Sequence, residues 1–199
     1  QPLQIGSCTV PNRIVRTAHS TGTTGEDLIA YHEERARGGI GLTIIEIAGV
    51  QPNSATAITV FTDAVLPFYG ELTRRMHVHG TKVFQQLWHG GAAYARAGQP
   101  VSASAVPAPS VNMVPRPMTQ TMIDETVAAF AAAAARCRDG GLDGVELHGA
   151  HGYLIGQFLS PATNLLDDRY GGTLENRTRF LVEILEAMAK HAKTSVVFL

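Results

Sequence analysis

Cysteine is scarce in this chain: Cys8 and Cys137 are the two in 199 residues, and they lie far apart. That excludes a disulfide scaffold and any paired-cysteine metal motif, and it points to a reducing compartment. Charge imbalance is also lacking. Sixteen basic and 17 acidic residues leave a net charge of −1, so there is no electrostatic case for a nucleic-acid or anionic-membrane partner. No apolar run reaches the ~20 residues that span a bilayer. No G-x-G-x-x-G or phosphate-loop lysine motif occurs, which weighs against the ordinary nucleotide-binding sheets. No signal-peptide pattern opens the chain, so the expected location is cytoplasmic and the Asn176-Arg177-Thr178 sequon reads as chance. The first residue is Gln1 rather than Met, which suggests part of a longer product. What remains is ordinary globular material, 45% hydrophobic and 17% charged, long enough for one domain with a real core.

The most informative stretch is Gly144-Val145-Glu146-Leu147-His148-Gly149-Ala150-His151-Gly152-Tyr153. It reads as a buried strand ending at His148, followed by a turn in which Gly149 and Gly152 bend the chain. His151 and Tyr153 can then point back toward His148. Two imidazoles and a phenol brought together can donate several hydrogen bonds to one small acceptor, and strand-end loops carry function more often than their share. A single such His would be read as a structural cap; three polar rings on one glycine-hinged turn favour a site.

The rest of the chain alternates strands and helices. The first strand is expected within Val10 to Ala18, with Ile14 and Val15 inside, and a helix from Glu26 to Arg37 precedes a strand from Leu42 to Ile47. Residues 51–62 read as an irregular loop. Pro67 suits the first turn of a helix carrying Phe68, Leu72 and Met76 on one face. A strand from Lys82 to Leu87 leads to Trp88-His89-Gly90-Gly91. Residues 97–117, rich in Pro, Ser and Ala, make a long excursion of the kind that is often functional. Thr121 with Asp124 reads as a helix start, and Ile123, Val127, Phe130, Ala134 and Cys137 follow at helical spacing. A last helix carries Leu174, Leu181, Leu185 and Met188 with Thr173 as its cap, before a fifth strand at Ser195 to Leu199. Arg37-Gly38-Gly39 and Arg138-Asp139-Gly140-Gly141 repeat one plan, basic helix end then glycine pair, before the second and fourth strands.

Five strands and four helices of this kind predict right-handed βαβ units and a parallel sheet. The sheet is either doubly wound or part of a TIM (β/α)8 barrel, whose full length is ~250 residues. The polar residues of interest all follow strands: His19 and Ser20, Gln86 with His89, and His148 with His151 and Tyr153. That distribution favours a barrel, which gathers its chemistry at the carboxyl ends of several strands, over an open sheet with one crevice. The expectation is a single partial TIM-barrel unit over residues 1–199.

At these motifs the sequence resembles a known family. The run G-V-E-L-H-G-A-H-G-Y-L-I-G-Q-F-L-S-P, then T-N, D-x-x-Y-G-G at Asp167 to Gly172 and E-N-R-T-R-F, closely resembles the Old Yellow Enzyme family of FMN-dependent ene-reductases. Relatives in that family include 2,4-dienoyl-CoA reductase and trimethylamine dehydrogenase. The opening I-G-x-x-x-V-P-N-R-I-V, the helix Y-H-E-E-R-A-R-G-G and Q-L-W-H-G-G extend the likeness over nearly the whole chain. The resemblance implies a TIM barrel with non-covalent FMN at its carboxyl face, NAD(P)H as reductant, and an α,β-unsaturated carbonyl compound as substrate. His148 and His151 would hydrogen-bond the substrate carbonyl oxygen, where losing one donor costs on the order of 2.7–4 kcal/mol by analogy with an oxyanion hole. Tyr153 would protonate the α-carbon as general acid. Gln86 would meet the pyrimidine edge of the flavin, Thr17, Ala18 and His19 would run beside the ring, and Ser20 would stand near the flavin C4 oxygen. With Ser20 there, a cysteinyl-flavin link at that position is not available. His89 is read as structural.

Several positions depart from the family's pattern. Ile47 stands where a small flavin-side residue is usual, Ala92 and Leu166 replace usual arginines, and Phe198 occupies the place of an arginine expected to support flavin N1 and O2. The phosphate-holding segments and any iron–sulfur cysteines would lie beyond Leu199, so a cluster cannot be read here. Two alternatives stand beside this reading. One is a metal-dependent barrel aldolase or hydrolase, using Glu146, His148, His151 and His89 as ligands. The other is that residues 1–199 alone are a non-catalytic piece that binds FMN poorly, with open edges that invite aggregation or a homo-oligomer.

Overall fold

Short strands set at the ends of long helices give an α/β architecture. The structure, a computed structural model, describes residues 1–191 and 195–198. Two short strands, β1 (Leu3–Ile5) and β2 (Cys8–Val10), form an antiparallel hairpin. The main sheet contains β3 (Val15–Arg16), β4 (Leu42–Gly49), β5 (Ile58–Thr59), β6 (Lys82–Trp88), β9 (Gly144–Leu147) and β10 (Ser195–Phe198). Two further strands, β7 (Val101–Ser102) and β8 (Arg116–Pro117), pair parallel with each other within the excursion. The helices are α1 (Gly25–Arg37), α2 (Leu66–His77), α3 (Gln120–Asp139), α4 (Leu154–Leu159) and α5 (Leu174–His191).

The main sheet is parallel throughout, in the order β10-β9-β6-β4-β3, with β5 paired to the end of β4. Along that path spatial order follows chain order, with one helix in each connection except the last, which holds α4 and α5. A doubly wound sheet reverses direction at a switch point, and among the described residues there is none. The chain winds one way, and both edges of the sheet stay open. The expected partial-barrel unit is thus an open parallel sheet here, without closure.

The sheet has two differently filled faces. Ile45, Val83, Leu87, Val145 and Leu147 pack outward against Leu72, Met76 and Phe130 of the helices. The opposite face is plugged at its amino end by the hairpin, where Cys8 and Val10 pack on Leu42, Ile44 and Phe84. Both cysteines are buried and free, one in each layer. Gly144 pairs with Phe84 across the sheet, and a Cβ there would come within 2.5 Å of the Phe84 ring. Gly144→Ala is expected to destabilise the fold by about 1–3 kcal/mol through overpacking, read as a lower denaturant midpoint at unchanged slope.

Local signals explain most element ends. α1 has Glu26 and Asp27 in its first turn and Arg35 and Arg37 in its last, matching the helix dipole. In both glycine pairs it is the second residue, Gly39 and Gly141, that takes the left-handed conformation, with φ of +90° and +89°. Pro67 lies in the first turn of α2 as expected. The Thr173 hydroxyl accepts from the Asn176 N–H at 3.2 Å, as its capping role requires.

Four expectations are corrected. Ile14 and Val15 lie outside the core, 63% and 39% exposed, because β3 pairs for two residues at a sheet edge and buries Arg16 instead. α3 starts at Gln120, one residue before Thr121: Thr119 is its cap, accepting from the Met122 N–H at 3.3 Å. Residues 51–62 hold a 3-10 turn at Pro52–Ser54 and β5, which Thr56 secures by hydrogen bonds to Ile47 and Ile58 carbonyls. A fifth helix, α4, follows the His–His–Tyr turn. Leu199, assigned to the fifth strand, lies outside the described residues.

Candidate functional site

Because β4, β6 and β9 run in register, their carboxyl ends deliver side chains to one rim. Gln86 lies opposite Glu146 on the hairpin-plugged face, and its Nε2 donates to the Glu146 carboxylate. Burial pushes the Glu146 carboxyl upward in pKa, and the Gln86 hydrogen bond partly offsets this. The same bond fixes the Gln86 amide, leaving its Oε1 and a second N–H for a ligand.

On β4 the register slips by one residue. Ile45 pairs with Gln85, and Ile47, not Glu46, pairs with Gln86. This bulge sets Ile47 on the rim and frees Glu46 to reach the loop after β3, where its carboxylate accepts from the Thr21 N–H. From the outer face, Gln85 donates to the Glu46 carbonyl and accepts from the Tyr69 hydroxyl at 2.9 Å, tying the bulge to α2.

A cavity of about 370 Å³ opens at this rim, lined by Ser20, Glu46, Ile47, Trp88, Tyr94 and Tyr153, with Arg96 at one side. Trp88 meets Tyr94 and Tyr153 edge-to-face, each with ring centroids 5.1 Å apart. Among the described residues the Tyr153 hydroxyl has no hydrogen-bond partner, so its proton is available to a ligand.

The predicted His–His–Tyr cluster is assembled. The His148 ring centroid lies 4.9 Å from that of Tyr153 and 5.1 Å from that of His151. His148 is anchored by its backbone N–H to the Leu87 carbonyl at 3.1 Å. Its Nδ1 accepts from the Ala150 N–H at 3.3 Å, which places the ring proton on Nε2, 3.2 Å from His151 Nδ1. Burial, with the His151 charge second, lowers the His148 pKa to about 4, so the ring is neutral at pH 7. His151 takes φ +58°, alone among the described non-glycine residues in being positive. Such strain costs of order 1–3 kcal/mol and collects at functional sites. The cluster is split between two cavities, however. Tyr153 fronts the larger one, whereas His151 fronts a smaller one of about 160 Å³ beside Ala92, Pro107 and Gln157. His148 is buried and lines neither, its ring meeting those of His151 and Tyr153.

The other predicted residues are placed less uniformly. Ser20 and Ile47 line the larger cavity; Thr17, Ala18, His19 and the buried Gln86 do not. His19 is held aside, its Nδ1 donating to the Thr17 carbonyl and its Nε2 accepting from Arg16, both at 3.2 Å. His89 is buried, its Nδ1 accepting from the Gly91 N–H at 3.1 Å and its Nε2 unpartnered. Among the described residues no three His, Cys, Asp or Glu side chains converge to hold a metal ion.

Residues that sequence reasoning passed over complete the site. Glu46 was visible as a lone charge inside a β-branched run. Gln157 is buried and uses both ends of its amide. Oε1 accepts from the Ala92 N–H at 3.0 Å and the Ser102 hydroxyl at 2.9 Å, and Nε2 donates to the Gly152 carbonyl at 2.7 Å. It thereby ties the His151 turn to the loop after β6 and to the excursion.

Compared with known proteins, residues 1–199 match the family model for the NADH:flavin oxidoreductase / NADH oxidase family. The chain belongs to this family. It is 40% identical over 196 residues to an NADH oxidase of Thermoanaerobacter brockii, covering 92% of this chain and 30% of that protein. It is 36% identical over 203 residues to a multifunctional alkene reductase/demethylase, OYE, of Caballeronia cordobensis, covering 96% of this chain and 29% of that one. Among solved structures it superposes on morphinone reductase with a TM-score of 0.90 at 29% identity, covering 99% of this chain and 60% of that one. The chain thus spans about a third of the length of these two curated relatives. These matches include the Old Yellow Enzyme group named by the sequence motifs.

A flavin is the group that family membership implies, and the donor set here fits one. Gln86 offers an amide pinned by Glu146 at the sheet end, Ser20 offers a hydroxyl, and Ile47 offers a half-buried apolar surface. A flat ring with an imide edge needs these three kinds of contact.

Proposed function

We propose that the whole protein is an FMN-dependent NAD(P)H oxidoreductase of the ene-reductase type, and that the open parallel sheet is part of a (β/α)8 barrel. The one-way strand order supports the barrel. The carbonyl-directed chemistry rests on one observation: a Tyr153 hydroxyl without a protein partner, facing a cavity and packed edge-on against a neutral His148.

When bound, FMN would supply the two-electron hydride chemistry that links NAD(P)H to the β-carbon of an α,β-unsaturated carbonyl compound. Gln86 and Ser20 would hold its ring. The chain's own residues do the rest. His148 keeps its proton on Nε2, because the Ala150 N–H occupies Nδ1. That proton now points at His151. A carbonyl oxygen entering between the two rings would take it over, and a rotated His151 ring would bring a second N–H. Both donors then oppose the negative charge that develops on that oxygen. Tyr153 delivers the proton to the α-carbon. Trp88 packs edge-on against the Tyr153 ring and is itself backed by Tyr94, and both would limit water on the cavity side.

Colour tests this reading. The purified full-length protein should be yellow, bleach with NAD(P)H in the absence of oxygen, and regain colour on adding 2-cyclohexenone. A colourless protein that takes up no added FMN would overturn it, as would one that bleaches but ignores the enone.

A further inference from the structure

The rim cavity carries two charged side chains, and one of them is already engaged. Glu46 is buried and accepts the Thr21 N–H. Arg96 lines the same cavity but takes part in no ion pair among the described residues; its recorded contact is the Tyr94 ring, 6.0 Å from the guanidinium carbon. Arg75 with Glu26 and Glu33, Arg136 with Asp63 and Arg169 with Glu183 hold carboxylates, whereas Arg13 and Arg116, like Arg96, make no ion pair among the described residues but line no part of this cavity.

The base of the Arg96 loop is anchored two residues upstream. The Tyr94 hydroxyl donates to the Ala55 carbonyl, and its ring stands edge-on to Trp88 at an interplanar angle of 89°. Arg96 itself is exposed, and it lines a cavity that Tyr153 also lines. Its two parallel N–H groups suit a carboxylate or phosphate oxyanion, and the cavity's one carboxylate is turned to backbone rather than to it.

We propose that Arg96 is an anion subsite: the ligand that presents its reacting carbon near Tyr153 carries an oxyanion at its other end. This rests on the reading of the cavity as the substrate site. Two sources share that chemistry, an acidic substrate tail and a phosphate of NAD(P)H, and the experiment separates them.

The FMN-loaded full-length protein and its Arg96→Gln and Arg96→Lys variants are compared with two probes, 3-oxocyclohex-1-ene-1-carboxylate and its methyl ester. Dissociation constants come from the flavin absorbance change without reductant, and KM is measured for NADH and NADPH. For a substrate tail, Arg96→Gln weakens the acid by about 10- to 100-fold, leaves the ester unchanged, and Arg96→Lys recovers part of the loss. For a dinucleotide phosphate, KM for NAD(P)H rises instead and the acid and ester stay level. Equal loss for acid and ester, or no change for any ligand, overturns the subsite. If the wild-type protein binds neither probe, the ene-reductase reading fails, and the KM arm alone decides Arg96.

Discussion

Tyr153→Phe should slow the half-reaction with a cyclic enone by ~10²- to 10⁴-fold, the usual worth of a positioned general acid. The ring itself will stay in place. Its neighbours are Trp88 and His148, both in edge-to-face contact, and phenylalanine preserves those contacts. No hydrogen bond within the described residues depends on the hydroxyl, so stability should be nearly unchanged. Nor does the hydroxyl serve the reductive half-reaction, so NAD(P)H should bleach the variant at the wild-type rate. Stopped-flow measurement of the two half-reactions separates these effects. Equal slowing of both, or neither, would show that Tyr153 is a wall of the cavity and not its acid.

Acid should unfold this protein steeply between pH 6.5 and about 4. Three histidines are buried with their rings neutral. His32, fully buried, has no partner for either ring nitrogen, and burial followed by the charges of Arg16, Arg35 and His19 lowers its pKa to about 3. Burial alone brings His89 to about 4, and burial with the His151 charge brings His148 to about 4. A folded-state pKa below the unfolded value means that the unfolded chain binds more protons in that window. Stability is therefore complete above the ordinary histidine value and falls as pH drops toward the folded values. Each group contributes up to about 1.4 kcal/mol per pH unit. Glu146, pushed upward, works the other way as one group against three. The net slope is roughly 3 kcal/mol per pH unit, so two units remove much of an ordinary stability of about 5–15 kcal/mol. Urea midpoints at pH 7.5, 6.0 and 5.0 measure this, and His32→Leu should flatten the slope by about half. A midpoint that holds steady from pH 7.5 to 5 would show that these rings find partners or water.

The strong signals in the sequence were those enforced by several residues at once. The glycine pairs, the alternation of strand and helix, and the turn after Leu147 were legible because each combined a backbone requirement with an apolar pattern. One-way strand order was not legible: periodicity identifies strands but says nothing about which lie side by side. Short elements were also hidden. Three-residue strands in the hairpin and the six-residue α4 are too brief to show a period. Ile14 and Val15 misled because β-branched residues read as interior wherever they occur, and an edge strand that pairs for two residues does not bury them. Among the site residues, Ser20, Ile47, His148, His151 and Tyr153 could be placed from motif and spacing. The division of the rings between two cavities could not, because it depends on how residues 97–117 fold back beside His151. Arg96 was passed over for a related reason, since Tyr153, which lines the same cavity, is 57 positions away in the chain.

The register slip on β4 has one more implication. Pairing resumes at Ile47 with Gln86 as though Glu46 were not there. Cutting out that single position would therefore join two stretches whose inward and outward sides already agree. Deletions within strands ordinarily turn everything downstream inside out. Here the cost is confined to a carboxylate and one carbonyl, those that meet Thr21 and Gln85. Glu46 is thus a surplus link in the strand, unneeded for its pairing, and what it brings is the one acidic group lining the larger cavity.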